Sequence, residues 1–122
     1  MRIDLEYMYR WPDRDAVAFY AADIIDDAGK RYPVRVMLEG IAAALFEDEV
    51  QGSYRDIVEA LYRKELEQLV KSGKLVPQNP KGTVNVVFLV NGNGREQVKP
   101  GDIVVDDAVD KLKGVARELS RL

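Results

Sequence analysis

An α+β domain is the fold class this sequence predicts, on three observations. Polar and apolar residues alternate near the start, apolar residues recur three or four apart in the middle and at the end, and one continuous β-branched run lies between the helical stretches. In Arg2 to Arg10, Ile3, Leu5, Tyr7 and Tyr9 alternate with Arg2, Asp4, Glu6 and Arg10, the period of two of a half-buried strand, and Trp11-Pro12-Asp13 stops it. Val17 to Ile25 is rich in β-branched and aromatic residues. Asp26-Asp27-Ala28-Gly29-Lys30 then supplies a turn before Tyr32, Val34 and Val36 alternate again. These segments predict an antiparallel meander of three strands.

From Leu38 the period changes, because Ile41, Ala42, Leu45 and Phe46 sit three or four apart, and a short helix ends in Glu47-Asp48-Glu49. Ser53 followed three residues later by Asp56 resembles a capping box, opening a long helix that runs to Gly73. Thr83 to Val90 reads as a strand buried on both faces and placed centrally. Asn91-Gly92-Asn93-Gly94 turns into a short strand near Gln97-Val98, and Lys99-Pro100-Gly101-Asp102 turns into a further strand at Ile103-Val104-Val105. A C-terminal amphipathic helix over 106–122 carries Val105, Ala108, Val109, Leu112, Val115, Ala116, Leu119 and Leu122 as an apolar stripe. Asp106 or Asp107 is expected to cap it.

At 122 residues, with 47% hydrophobic and 32% charged residues, the chain is expected to fold as a single domain over 1–122. Lacking cysteine, it has no disulfide framework and no thiolate metal site. Lacking histidine, it has neither the commonest general base nor the commonest metal ligand. Its N-terminal alternation is neither a signal peptide nor a span, so the expected compartment is cytoplasmic and no membrane association is expected. The net charge of −3 argues against a surface given over to phosphate backbones.

Few residue patterns point to chemistry. Asn91-Gly92-Asn93-Gly94-Arg95-Glu96-Gln97 opens like a dinucleotide fingerprint, but Gln97 stands where the third glycine belongs, so a turn is the better reading and no cofactor is expected. Carboxylates cluster at Asp13 and Asp15, at Glu47, Asp48 and Glu49, and at Asp102, Asp106 and Asp107. Solvation and capping account for them better than metal-assisted hydrolysis does. Glu65 falls on the apolar arc of the long helix with Tyr54, Val58, Leu61, Tyr62 and Leu69. It is a possible buried acid, best read as paired with an arginine or tyrosine or as lying on a half-covered helix face. Strand alternation separates Phe19 from Tyr20, so one aromatic should sit off the main core, and Tyr20 is the candidate contact along with Trp11. Arg55, Arg63, Lys64, Lys71 and Lys74 dot the long helix, and the strand and Asn-Gly turn after it suggest a winged-helix DNA-binding regulator. The interleaved Glu59, Glu65 and Glu67 favour a solvated, salt-bridged face instead.

Ala16-Val17-Ala18-Phe19-Tyr20-Ala21, Tyr32-Pro33-Val34-Arg35-Val36, Ala43-Ala44-Leu45, and Tyr54 to Lys71 with the strand after it together resemble a bacterial family of unknown function. It is number fourteen eighty-eight in the series of uncharacterised domains. The resemblance covers roughly residues 11–90 and implies a hairpin with a V-x-F type strand, a short helix carrying an Ala-Leu pair, a long helix and a closing strand. It implies no activity and no site residue, and the segment from Asn91 to Leu122 lies beyond it.

The expected function is therefore a non-enzymatic protein-binding module of the regulator or inhibitor type, with a protein partner and a possible homodimer through the C-terminal helix. An acidic inhibitor of a nucleic-acid-handling complex is one version of it, suggested by Asp26-Asp27 and Glu47-Asp48-Glu49.

Overall fold

The structure is a computed structural model that describes the chain except residues 9–15, 50–53, 78–82, 91–94 and 122, and leaves out the side chains at 16, 17, 47–49 and 97. Trp11, the Ser53 capping box and the Asn91–Gly94 turn thus lie outside the described residues. Among those described, the order is β1 (Arg2–Tyr7), β2 (Ala16–Ile25), β3 (Arg31–Glu39), α1 (Gly40–Glu49), α2 (Tyr54–Lys71), β4 (Val84–Phe88), a 3₁₀ turn (Arg95–Gln97), β5 (Ile103–Val105) and α3 (Ala108–Ser120). The five strands form one mixed sheet in the order β1-β2-β3-β4-β5. β1 to β3 are the expected antiparallel meander, whereas β4 and β5 run parallel to β3.

This topology follows from the connections. A parallel neighbour needs a long crossover, which α1 and α2 supply between β3 and β4. Among its described residues, the second crossover, 89–102, contains no α-helix. The short strand expected near Gln97-Val98 is instead a 3₁₀ turn, followed by Val98, which packs against Met37, Val87 and Leu89 on the sheet face away from the helices. Val98 thus covers apolar surface where a doubly wound fold would place a helix.

The main core lies on the other face. Tyr20, Ala22, Ile24, Val34, Val36, Leu38, Val86 and Phe88 from the sheet meet Phe46 of α1, Leu61, Tyr62 and Leu66 of α2, and Ala108, Leu112 and Val115 of α3. Ala108, Leu112 and Val115 of the α3 stripe are therefore used within the chain, with Val109 and Ala116 packed beside them, while Leu119 is 37% exposed.

Two junctions depart from the sequence reading. Asp107 does not cap α3 through its side chain. It adopts a left-handed backbone with φ of 59°, and the amide of Ala108 donates to the carbonyl of Leu89 at 2.9 Å, while Asp106 pairs with Arg95. Docking against an extended β4 thus substitutes for a cap. At α1 the carboxylate of Glu39, 3% exposed, accepts from the amides of Ile41 at 2.9 Å and Ala42 at 3.3 Å. It satisfies two of the free N–H groups at that helix start, where the helix dipole favours negative charge.

β2 carries a bulge. Val17 pairs with Leu38 and Tyr20 with Val36, so Ala18 and Phe19 together stand opposite one residue of β3. Ala18 is left-handed at φ of 50°, and its carbonyl accepts from the Tyr62 hydroxyl at 2.7 Å. An L-residue in that region costs about 1–2 kcal/mol, and burying the hydrogen-bonded phenol against the bulge holds it there.

Candidate functional site

β1 is one margin of the sheet and, among the described residues, pairs only with β2. The pleat decides which of its backbone groups are used. The amide of Met8 donates to the carbonyl of Phe19 at 2.8 Å, so the hydrogen-bonded partners alternate back along the register through Glu6↔Ala21, Asp4↔Asp23 and Arg2↔Ile25. The N–H and C=O groups of Ile3, Leu5 and Tyr7 consequently point outward, away from β2. Their side chains lie on the helix-covered face, where Ile3 and Leu5 are half-buried against the core, while Arg2, Asp4 and Glu6 are exposed on the open face.

α2 borders this margin. It runs along the sheet because Ile57, Val58, Leu61, Tyr62, Leu66 and Leu69 are buried at helical spacing, which leaves Arg55, Arg63 and Lys64 on its outer side. The Arg55 guanidinium sits 4.5 Å from the centre of the Tyr7 ring, and its Nε donates to the Tyr20 hydroxyl at 3.2 Å. Tyr7 meets Tyr20 edge-on at 5.5 Å, and Tyr20 meets Tyr62 in the same way at 5.6 Å. This ladder pins the end of β1 to α2 through cation–π and edge-to-face contacts. Nearer the start of the strand an open cleft is lined by Met1, Arg2, Ile3, Arg63, Lys64 and Glu67.

Burial dominates the electrostatics of the aromatic ladder. It pushes the Tyr62 phenol well above its ordinary range, and it raises Tyr20 too, with the Arg55 hydrogen bond pulling the other way. Both are neutral hydroxyls at physiological pH, suited to hydrogen bonding and not to proton abstraction.

The residues singled out from sequence fall in several places. Tyr20 is buried in the main core at 1% exposure and is no surface contact. The aromatic off that core is Phe19, because all three helices cover the face bearing Tyr20, Ala22 and Ile24. Asp26 organises the β2–β3 turn, accepting from the amides of Ala28 and Lys30 at 2.9 Å each and from the Tyr32 hydroxyl at 2.7 Å, and Asp27 is exposed beside it. The Tyr32 bond first, then the Lys30 amide, lower the Asp26 carboxyl below its usual range. The turn thus explains Asp26 without a partner. Glu47, Asp48 and Glu49 lie in the last turn of α1, with their side chains outside the described residues. Glu65 keeps 16% side-chain exposure and pairs with Lys111 of α3 at 3.3 Å, a lysine where an arginine or tyrosine partner was expected.

Sequence reading missed the edge geometry and Glu39. The first had a signal in the alternation of Arg2 to Tyr7, but which amides face outward depends on the partner strand. The second had one in the strand-to-helix step Glu39-Gly40-Ile41. The wing of the rival DNA-binding reading would turn at Asn91–Gly94, outside the described residues, and the strands on either side of that segment, β4 and β5, are parallel. Among the described residues no group of three carboxylates stands close enough to hold a metal ion, and no helix is long and apolar enough to cross a membrane. No family model, curated protein or solved structure matches the chain.

Proposed function

We propose that this chain is a non-enzymatic protein-binding module that engages its partner by strand addition at β1. The observation that carries this reading is the row of outward backbone groups at Ile3, Leu5 and Tyr7, on a strand long enough to template another and bordered by exposed Tyr7 and Met8, at 48% and 38%. Main-chain bonds along such an edge supply affinity, and the cleft beside Arg63 and Lys64 supplies a place for partner side chains.

The test is capture of host proteins after nuclease treatment by three forms of the chain. Leu5→Pro removes an outward amide that β2 does not use, and Leu5→Ala loses the same core packing but keeps the amide. A partner held by the native chain and by Leu5→Ala but lost on Leu5→Pro supports the reading. A partner held equally by all three sinks it. Recovery of nucleic acid, with binding that falls steeply with salt and is abolished by Arg63→Glu or Lys64→Glu, transfers the assignment to the DNA-binding alternative.

A further inference from the structure

Resting on the reading of β1 as the binding edge, we infer that the strand it accepts is β1 of a second copy, antiparallel about a two-fold axis through Asp4. The inference comes from the pattern of the strand itself. Outward amides alternate with inward ones, so a second strand can pair only in registers that set Ile3, Leu5 and Tyr7 against one another.

Two such registers centre on the middle of β1. With the axis at Leu5, Asp4 of each copy stands opposite Glu6 of the other, two like-charged pairs on the open face. With the axis at Asp4, Arg2 of each copy stands opposite Glu6 of the other, and Ile3 stands opposite Leu5 on the helix-covered face, so both faces match in character. The one like-charged contact is Asp4 against its own symmetry mate, and each Asp4 is already held by its own Arg2 at 3.0 Å. Glu6 has no ion pair among the described residues, so its charge is available to the second copy's Arg2. Charge thus selects one register. The interface is isologous and closes on itself, joining two five-stranded sheets into one and removing the exposed edge.

A sequence without cysteine gives a clean readout. In this register Asp4 meets its symmetry mate in a non-hydrogen-bonded pair with Cα atoms about 4.5 Å apart, inside the range a disulfide spans. Asp4→Cys under mild oxidation is expected to run as a covalent dimer, while Glu6→Cys, also exposed and standing opposite Arg2, is expected to form no covalent dimer. Cross-linking through Leu5→Cys in place of Asp4→Cys overturns the register.

Light scattering on a sizing column is expected to give twice the chain mass for the native protein. Glu6→Arg is expected to return it to the monomer, and Arg2→Glu added to Glu6→Arg to restore the dimer. Both positions are exposed, so neither change threatens the fold. A monomer at every concentration, with no cross-link at Asp4→Cys, overturns the self-pairing. If capture of another protein still depends on the Leu5 amide, only the choice of partner has failed. If that capture fails as well, strand addition at β1 falls with it.

Discussion

The two halves of the sheet solve the same burial problem in opposite ways. In the antiparallel half, β1 alternates half-buried Ile3 and Leu5 with exposed Arg2, Asp4 and Glu6, so one face is dry and the other wet. In the parallel half, Val86, Val87, Phe88 and Leu89 are all fully buried, because the helices cover one face and Val98 packs on the other. Parallel strands need crossovers, and crossovers lie across faces, so parallel pairing brings its own cover. Among the described residues, the antiparallel pairings of β1 and β2 bring none. Burial is therefore concentrated at β3 and β4, and β1 keeps an exposed face.

The sharpest way to break this contrast is to cut side chains from each half and compare. Phe88→Ala is expected to cost about 3–5 kcal/mol, and Leu5→Ala, half-buried at the edge, about 1 kcal/mol, both read from urea unfolding midpoints. Equal losses would mean that the edge is as firmly held as the centre.

A smaller effect tests the bulge that joins the halves. Tyr62→Phe deletes the hydroxyl that satisfies the Ala18 carbonyl and is expected to cost about 1–3 kcal/mol with little change in packing. A neutral result would mean that water reaches that carbonyl.

The phenols add a pH signature. Tyr62 and Tyr20 titrate higher in the folded chain than in the unfolded one, so their contribution is complete below the unfolded tyrosine pKa of about 10 and is lost as pH rises beyond it. Unfolding midpoints are expected to fall above that pH in the native chain and to fall less in Tyr62→Phe. Asp26 acts with the opposite sign, since its carboxyl is lowered by folding. Its share of stability is present above the usual aspartate range and disappears as the solution is acidified through and below it. In Asp26→Asn that acid-side loss is expected to shrink.

The smallest expected effect is at Glu65 and Lys111. Their pair is partly solvated, so Glu65→Gln is expected to cost under about 1 kcal/mol, and a larger loss would make it a structural clamp between α2 and α3.

Much of the fold was legible from periodicity. The meander, the long helix, the strand around Val84–Phe88 and the terminal helix follow directly from where apolar residues recur, and the continuous apolar run correctly marks a doubly covered strand. The 3₁₀ turn at Arg95–Gln97 was not legible, because Val98 is apolar for packing on the second face and not for pairing in a strand. The candidate site was visible only as a half-buried strand, since alternation tells which side chains are wet but not which backbone groups are left over.

Local pattern, then, determined by itself the α+β class, the period of each element and the absence of cysteine and histidine chemistry, because these depend only on residue type and on neighbours a few positions away. Tertiary structure alone decided that β4 lies parallel beside β3, that Tyr20 rather than Phe19 faces the helices, and that Ile3, Leu5 and Tyr7 turn their amides outward. Each of these depends on which distant segment lies alongside, and hydrogen-bond parity and face coverage come into existence only when two segments meet.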